Sequence, residues 1–242
     1  MSLQSLLNAG RLWRATNHQR VQQVLSSGIA TLDQLLLGGW PKGQATELLY
    51  DGQGLGELRL LLPTLAQLSQ QQIASSQWQL WLAPPFVPYP PALHDAGLNV
   101  SQQLLVQSND VKQQLWAAEQ ALQSGSCSAV MAWLDSTQPL ASKDIRRLQV
   151  AAEQGQSQLW LMRPSNVAAQ SSPAACRLKL SAIDEQQIQV HCIKRRGGWA
   201  PQPMPIQVTA VYPSTDEITN SNQPTGQIIQ GPWSGKPLAQ QA

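Results

Sequence analysis

Five short apolar runs, ATELLY, WQLWLAP, QLLVQ, SAVMAWLD and QLWLMRP, alternate along this chain with amphipathic stretches. Near-continuous apolar runs of this length suit strands buried on both faces. The stretches between them, GELRLLLPTLAQLSQQ, VKQQLWAAEQALQSG and SKDIRRLQVAAEQG, read as helices. In the second, Val111, Leu115, Ala118 and Leu122 fall on one helical face and Gly125 supplies a stop. In the third, Ser142 is placed to cap the start and Gly155 to follow the end. Pro63 lies inside the first and predicts a bend, because an interior proline costs about 3 kcal/mol in a straight helix. Alternation of this kind predicts a mostly parallel sheet covered on both faces. Beyond it, CRLKLSAIDEQQIQVHCIKRR alternates apolar and polar residues around an Asp-Glu turn, which predicts an antiparallel hairpin with Leu178 and Leu180 facing Ile188 and Val190.

Three segments follow from this pattern. Residues 1–26 form a short amphipathic N-terminal segment carrying Leu6, Leu7, Leu12 and Trp13, residues 27–198 form the domain, and residues 199–242 form a Pro/Gln-rich tail expected to lack fixed structure. Charged residues are 12 % of the chain and the net charge is +2, so no strong field draws in nucleic acid or an anionic membrane. Cys127, Cys176 and Cys192 lack metal-type spacing, and His18, His94 and His191 are scattered away from them, so neither zinc nor any other metal is expected. No run reaches membrane-spanning length and no signal-type apolar core opens the chain, which predicts a cytoplasmic location.

The stretch TELLYDGQGLGELRLLLPTLAQL has the outline of a phosphate-binding loop: a strand, a glycine-rich turn, then a helix. A working loop needs G-x-x-x-x-G-K-[ST], with lysine on the terminal phosphates and a hydroxyl on magnesium. Mapped here, Asp51 takes the first glycine position (Gly52 shifts the register by one), Gly54 lies within the turn and Gly56 is the last glycine. Glu57 replaces the lysine and Leu58 the hydroxyl residue. The change at 57 reverses a sign. Unit charges about 4 Å apart interact by roughly 4 kcal/mol at an effective dielectric of about 20, so repulsion replaces attraction beside a triphosphate. Glu57 also suits a helix N-terminus, where a carboxylate is favoured. The loop reads as a degenerate site without a nucleotide cofactor.

Over residues 27–198 the order of pieces resembles the RecA-like ATPase core. SSGIATLDQLLLGGWPKGQATELLYDGQGLGE follows that family's opening, and AVMAWLDS places Asp135 at the magnesium-ordering aspartate of its Walker B strand. The region matching the family's catalytic glutamate, LAPPFVPY, holds no carboxylate. The fold this implies is an α/β, RecA-like core of the P-loop NTPase type, with helices on both faces and an added C-terminal antiparallel β-hairpin.

More closely, GELRLLLPTLAQLSQQ, WQLWLAPPFVPYPPAL, LWAAEQALQSGSCSAVMAWL, RRLQVAAEQG and LMRPS are similar to the ImuA family and to its relative, the cell division inhibitor SulA. The front end from Gly28 to Tyr50, the hairpin and IKRRGGW favour ImuA. That resemblance implies a non-enzymatic SOS-response adaptor in error-prone translesion DNA synthesis, with an ImuB-like polymerase relative and RecA as partners. The alternative implied by SulA is an inhibitor of cell division that binds FtsZ and blocks its polymerisation.

Several residues stand out as partner-binding candidates. Phe86 and Tyr89 sit in the stiff proline-rich stretch PPFVPYPP. Lys194, Arg195 and Arg196 run into Gly-Gly-Trp199, joining charge to an aromatic. The loops after WLD and MRPS carry few positive charges, which argues against direct DNA binding. Among the nine tryptophans, Trp81, Trp116, Trp133 and Trp160 are expected in the core, and Trp40, Trp199 and Trp233, beside Gly or Pro, at the surface.

Overall fold

The computed structural model describes residues 23–52, 54–71, 77–134, 140–196 and 201–208. Each of the five apolar runs holds a strand: β3 (Ala45–Leu49), β4 (Trp78–Leu82), β5 (Gln103–Val106), β6 (Cys127–Trp133) and β7 (Gln158–Arg163). Ahead of them, β1 (Val24–Leu25) and β2 (Trp40–Pro41) pair as a separate antiparallel ribbon around α1 (Ala30–Leu35). The intervening helices are α2 (Glu57–Gln71), α3 (Pro90–Asp95), α4 (Val111–Gln123) and α5 (Ser142–Gly155). The chain ends its described part in β8 (Cys176–Ala182), β9 (Gln187–Lys194) and β10 (Met204–Gln207).

Eight strands join in one sheet, ordered β10-β9-β8-β3-β7-β6-β4-β5. From β8 to β5 every pair is parallel, whereas β8–β9 and β9–β10 are antiparallel. The expectation of a RecA-like core with an appended hairpin is therefore corrected. The sheet is mixed, and β8 pairs directly with β3 through Thr46↔Cys176 to Leu49↔Lys179, so the hairpin is part of the main sheet. A further strand, β10, extends it from within the segment read as tail. In the hairpin Leu180 opposes Val190 as expected, while Leu178 opposes Cys192 and Ile188 opposes Ala182.

Period-two alternation sorts the strand residues between two apolar clusters. Leu48, Trp81, Met131, Trp160 and Leu178 pack with Leu60, Leu61 and Leu65 of α2 on one face. On the other, Leu80, Leu82, Val130, Ala132 and Leu161 pack with Ala118 and Leu122 of α4 and Ile145 and Leu148 of α5. The helix α2 continues through Pro63, whose ring abuts Gly28: a Cβ built at Gly28 would lie 2.6 Å from the proline Cβ. At the far end of the second face, a Cβ on Gly155 would meet the Leu122 carbonyl oxygen at 1.8 Å, so a glycine is what lets α5 end against α4. The left-handed residue that stops α5 is instead Gln156, at φ 54°.

Two tryptophans reverse their expected places. Trp40 is fully buried; its indole N–H donates to Thr64 Oγ1 at 3.0 Å and its ring meets Trp160 edge-on at 5.8 Å. Trp116 instead lies on the outer side of α4, 53 % exposed. Trp199, Trp233, Asp135 and the N-terminal amphipathic residues Leu6, Leu7, Leu12 and Trp13 lie outside the described residues.

Candidate functional site

A cleft of about 1120 Å³ opens beyond the carboxyl ends of the parallel strands. Ligands of open α/β sheets bind at this end, because the loops that leave the strands there are free to converge. The turn from Tyr50 to Glu57 forms one side and the Pro84–Pro88 loop after β4 another. Trp81 and Trp133, stacked 6.0 Å apart with planes 12° from parallel, line it between them.

The glycine turn is built as its sequence requires. Gly52, Gly54 and Gly56 have φ of 79°, 75° and 88°, in the region that L side chains avoid. Asp51 accepts from the Ser165 backbone N–H at 3.0 Å and from the Ser165 hydroxyl. Those two bonds, the hydroxyl's first, hold its pKa below the usual carboxylate value. Leu58 packs against the core.

Glu57 begins α2 and is 7 % exposed. It lines the cleft, and the Tyr50 hydroxyl donates to its Oε1 at 3.1 Å. Burial first, and then the charge of Glu57, raise the Tyr50 pKa, so the phenol keeps its proton and remains a donor. Among the described residues no ion pair includes Glu57. The head of α2 thus places a buried carboxylate at the cleft, held by a neutral phenol.

A second buried carboxylate was invisible in the sequence. Glu47, on β3, accepts from Arg163 Nη1 at 2.7 Å and from Arg177 Nε. All three side chains are buried, and Arg177 also donates to the carbonyls of Val167, Ala168 and Gln170. Glu47 sits in an apolar run that gave no reason to single it out. Its partners lie 116 and 130 positions away, and only the β3–β7 and β3–β8 pairings bring them together.

The residues proposed for partner binding separate into two groups. Phe86 and Tyr89 are 66 % and 65 % exposed; beside them Val87, which the sequence did not single out, is 69 % exposed, and Phe86 and Val87 line the cleft, so the proline-rich loop presents an apolar rim. The basic residues each have a partner within the fold. Lys194 Nζ donates to the Ser172 carbonyl at 2.6 Å, Arg195 to the Leu35 carbonyl, and Arg196 meets Glu153 at 3.7 Å. They tie three separate parts of the fold together.

Among the described residues no helix is long and apolar enough to cross a membrane. A family model described as cell division inhibitor SulA matches residues 43–158. The cell division inhibitor SulA of Serratia marcescens is 34 % identical over 126 residues, covering 52 % of this chain and 71 % of that protein. That of Edwardsiella piscicida is 35 % identical over 135 residues, covering 55 % of this chain and 76 % of its own length. Among solved structures, the crystal structure of SulA from Pseudomonas aeruginosa is similar at 34 % identity, with a TM-score of 0.40 over 50 % of this chain and 97 % of that one. The family model and the two SulA relatives correct two expectations. A family of cell division inhibitors replaces the RecA-like ATPase class as the frame for the fold, and it replaces the translesion adaptor with ImuB-like and RecA partners as the frame for function. The chain belongs to the SulA family of cell division inhibitors.

Proposed function

We propose that this protein inhibits cell division by binding FtsZ and blocking its polymerisation. The observation that carries the reading is where the family match falls. Residues 43–158 run from the approach to β3 to the first residue of β7, and so include the glycine turn, the proline-rich loop and the stacked tryptophans. The chemistry at the cleft supports a binding role. Glu57 stands where a nucleotide site needs a cation, and exposed Phe86, Val87 and Tyr89 supply the aromatic and apolar area on which interfaces concentrate their energy.

The test is sedimentation of FtsZ assembled with GTP in the presence of the purified chain. Polymer mass should fall steadily as the chain approaches an equimolar ratio. Full polymer yield at several-fold excess of the chain overturns the reading.

A further inference from the structure

The eight-stranded sheet ends in β5 on one side and β10 on the other, and the two edges are built differently. An edge strand offers unpaired N–H and C=O groups to any extended segment, and proteins commonly blunt it with proline, charge or a bulge. β10 carries Pro205. β5 has none of these devices. Its register with β4 runs unbroken from Gln79↔Gln103 to Leu82↔Val106, and no charged residue stands between Asp95 and Asp110. Leu104, Leu105 and Val106 are half-buried, and among the described residues no strand covers their outer side.

One hydrogen bond fixes which backbone groups point away from the sheet. The Val106 carbonyl accepts from the Ala83 N–H at 2.8 Å, so residue 106 turns its main-chain groups towards β4. Alternation turns Leu104 the same way and aims the N–H and C=O of Gln103, Leu105 and Gln107 outward. Side chains alternate as well: Leu104 and Val106 pack towards one apolar cluster and Leu105 towards the other.

The stretch Gln103-Leu104-Leu105-Val106-Gln107 reads nearly the same in both directions. Laid antiparallel on a second copy of itself about Leu105, it sets Leu105 opposite Leu105, Leu104 opposite Val106 and Gln103 opposite Gln107. Each outward N–H then meets an outward C=O, because opposed residues of this kind exchange both bonds in an antiparallel pair. Apolar side chains oppose apolar ones, and no like charges meet. Other registers lose this match. A slip of one residue opposes outward groups to inward ones, and a slip of two sets Leu105 against Gln107.

We propose that β5 is a self-pairing edge, through which two copies of the chain join about a two-fold axis at Leu105 and their sheets become one. The paired strands run in opposite directions, so the two clefts open at opposite ends of the joined sheet. Gln107, whose Nε2 donates to the Pro84 carbonyl at 3.2 Å, ties the end of each paired strand to the proline-rich loop. The contact does not depend on what the cleft binds.

Light scattering over a dilution series of the full chain should give a mass approaching twice 26.4 kDa at the concentrated end. A monomer throughout overturns the proposal, whether the edge stays solvated or a segment of the chain already covers it. Leu104→Lys and Val106→Glu then test the register, with thermal melts confirming that each variant folds. Alone, each sets a charge against an apolar side chain and should weaken dimerisation by about tenfold or more. Mixed in equal amounts, the new ammonium and carboxylate oppose each other while the second Leu104–Val106 pair is unaltered, so the dimer should return. A dimer that survives both single substitutions, or no recovery on mixing, sinks the pairing. If the variants fail to fold, amide exchange in the wild type decides. The Leu105 N–H should exchange about tenfold faster or more when the protein is diluted to monomer, and equal exchange in dimer and monomer places the contact elsewhere and refutes it.

Discussion

Two glutamates ten positions apart, Glu47 in β3 and Glu57 at the head of α2, are both buried, and their surroundings differ in a way that separates structure from use. Glu47 is held by two guanidiniums, one of which is anchored further by three carbonyls. Its electrostatic needs are met inside the fold. Glu57 has one phenol and an open cleft beside it. Burial alone therefore says little about the role of a charge. What tells is whether the fold supplies compensation in full, and here it does so for the first glutamate and stops short for the second.

The largest test of that contrast is Glu47→Ala. Removing the carboxylate leaves two buried guanidiniums facing each other, and breaking a buried pair by deleting one partner costs about 3–5 kcal/mol. The urea midpoint should drop by an amount matching that loss; a drop as small as that of a surface substitution would show that the triad is not structural.

A smaller effect is expected from Tyr50→Phe, which removes the donor that Glu57 has among the described residues, at a cost of about 1 kcal/mol at neutral pH. Its sharper signature is alkaline. The folded Tyr50 pKa is raised above its unfolded value near 10, by burial and then by Glu57. Its contribution is thus complete below pH 10 and is lost as pH rises through the folded value. Wild type should lose thermal stability above pH 10 more steeply than the phenylalanine variant. Parallel melting profiles for the two proteins would contradict the assignment.

The smallest effect belongs to Asp51→Asn on the rim. The folded Asp51 pKa is lowered, through the Ser165 hydroxyl first and the Ser165 N–H second. Stability from this group is present above its unfolded value of 3.8 and disappears as pH falls through the folded one. The gap in melting temperature between wild type and variant should close as the solution is acidified below that point. A gap that persists unchanged there would mean that Ser165 does not favour the ionised form.

How much of this was legible follows from the range of each signal. Strands at the five apolar runs, and helices between them, were readable because side-chain periodicity is local. The class inferred from them was not, because strand order depends on contacts far apart in the chain. β10 escaped notice since Met204–Gln207 is short and contains Pro205, a residue at home on a sheet edge. Trp40 escaped for a related reason: its Gly-Gly and Pro neighbours suggested a surface turn, yet the turn folds inward so that Thr64 accepts its N–H. Gly155 looked like a helix stop, but its missing side chain serves the approach of α4, and Gln156 takes the left-handed seat. At the cleft, the glycine turn leading into a helix was plain from Gly52, Gly54 and Gly56, whereas the Gln114 acceptor unmet by any described residue was not, because helical periodicity says nothing about hydrogen-bond satisfaction.

The position of β3 has a consequence for how the chain is made. Its two neighbours in the sheet are β7, which begins at Gln158, and β8, which begins at Cys176. The first strand of the main sheet to leave the ribosome therefore waits for more than half the protein to be synthesised before either edge of it can be paired. Until then an apolar segment with unpaired backbone groups stays available to other chains. A nascent chain stalled before Gln158 should accordingly be a client for chaperones or proteases rather than a partly working inhibitor.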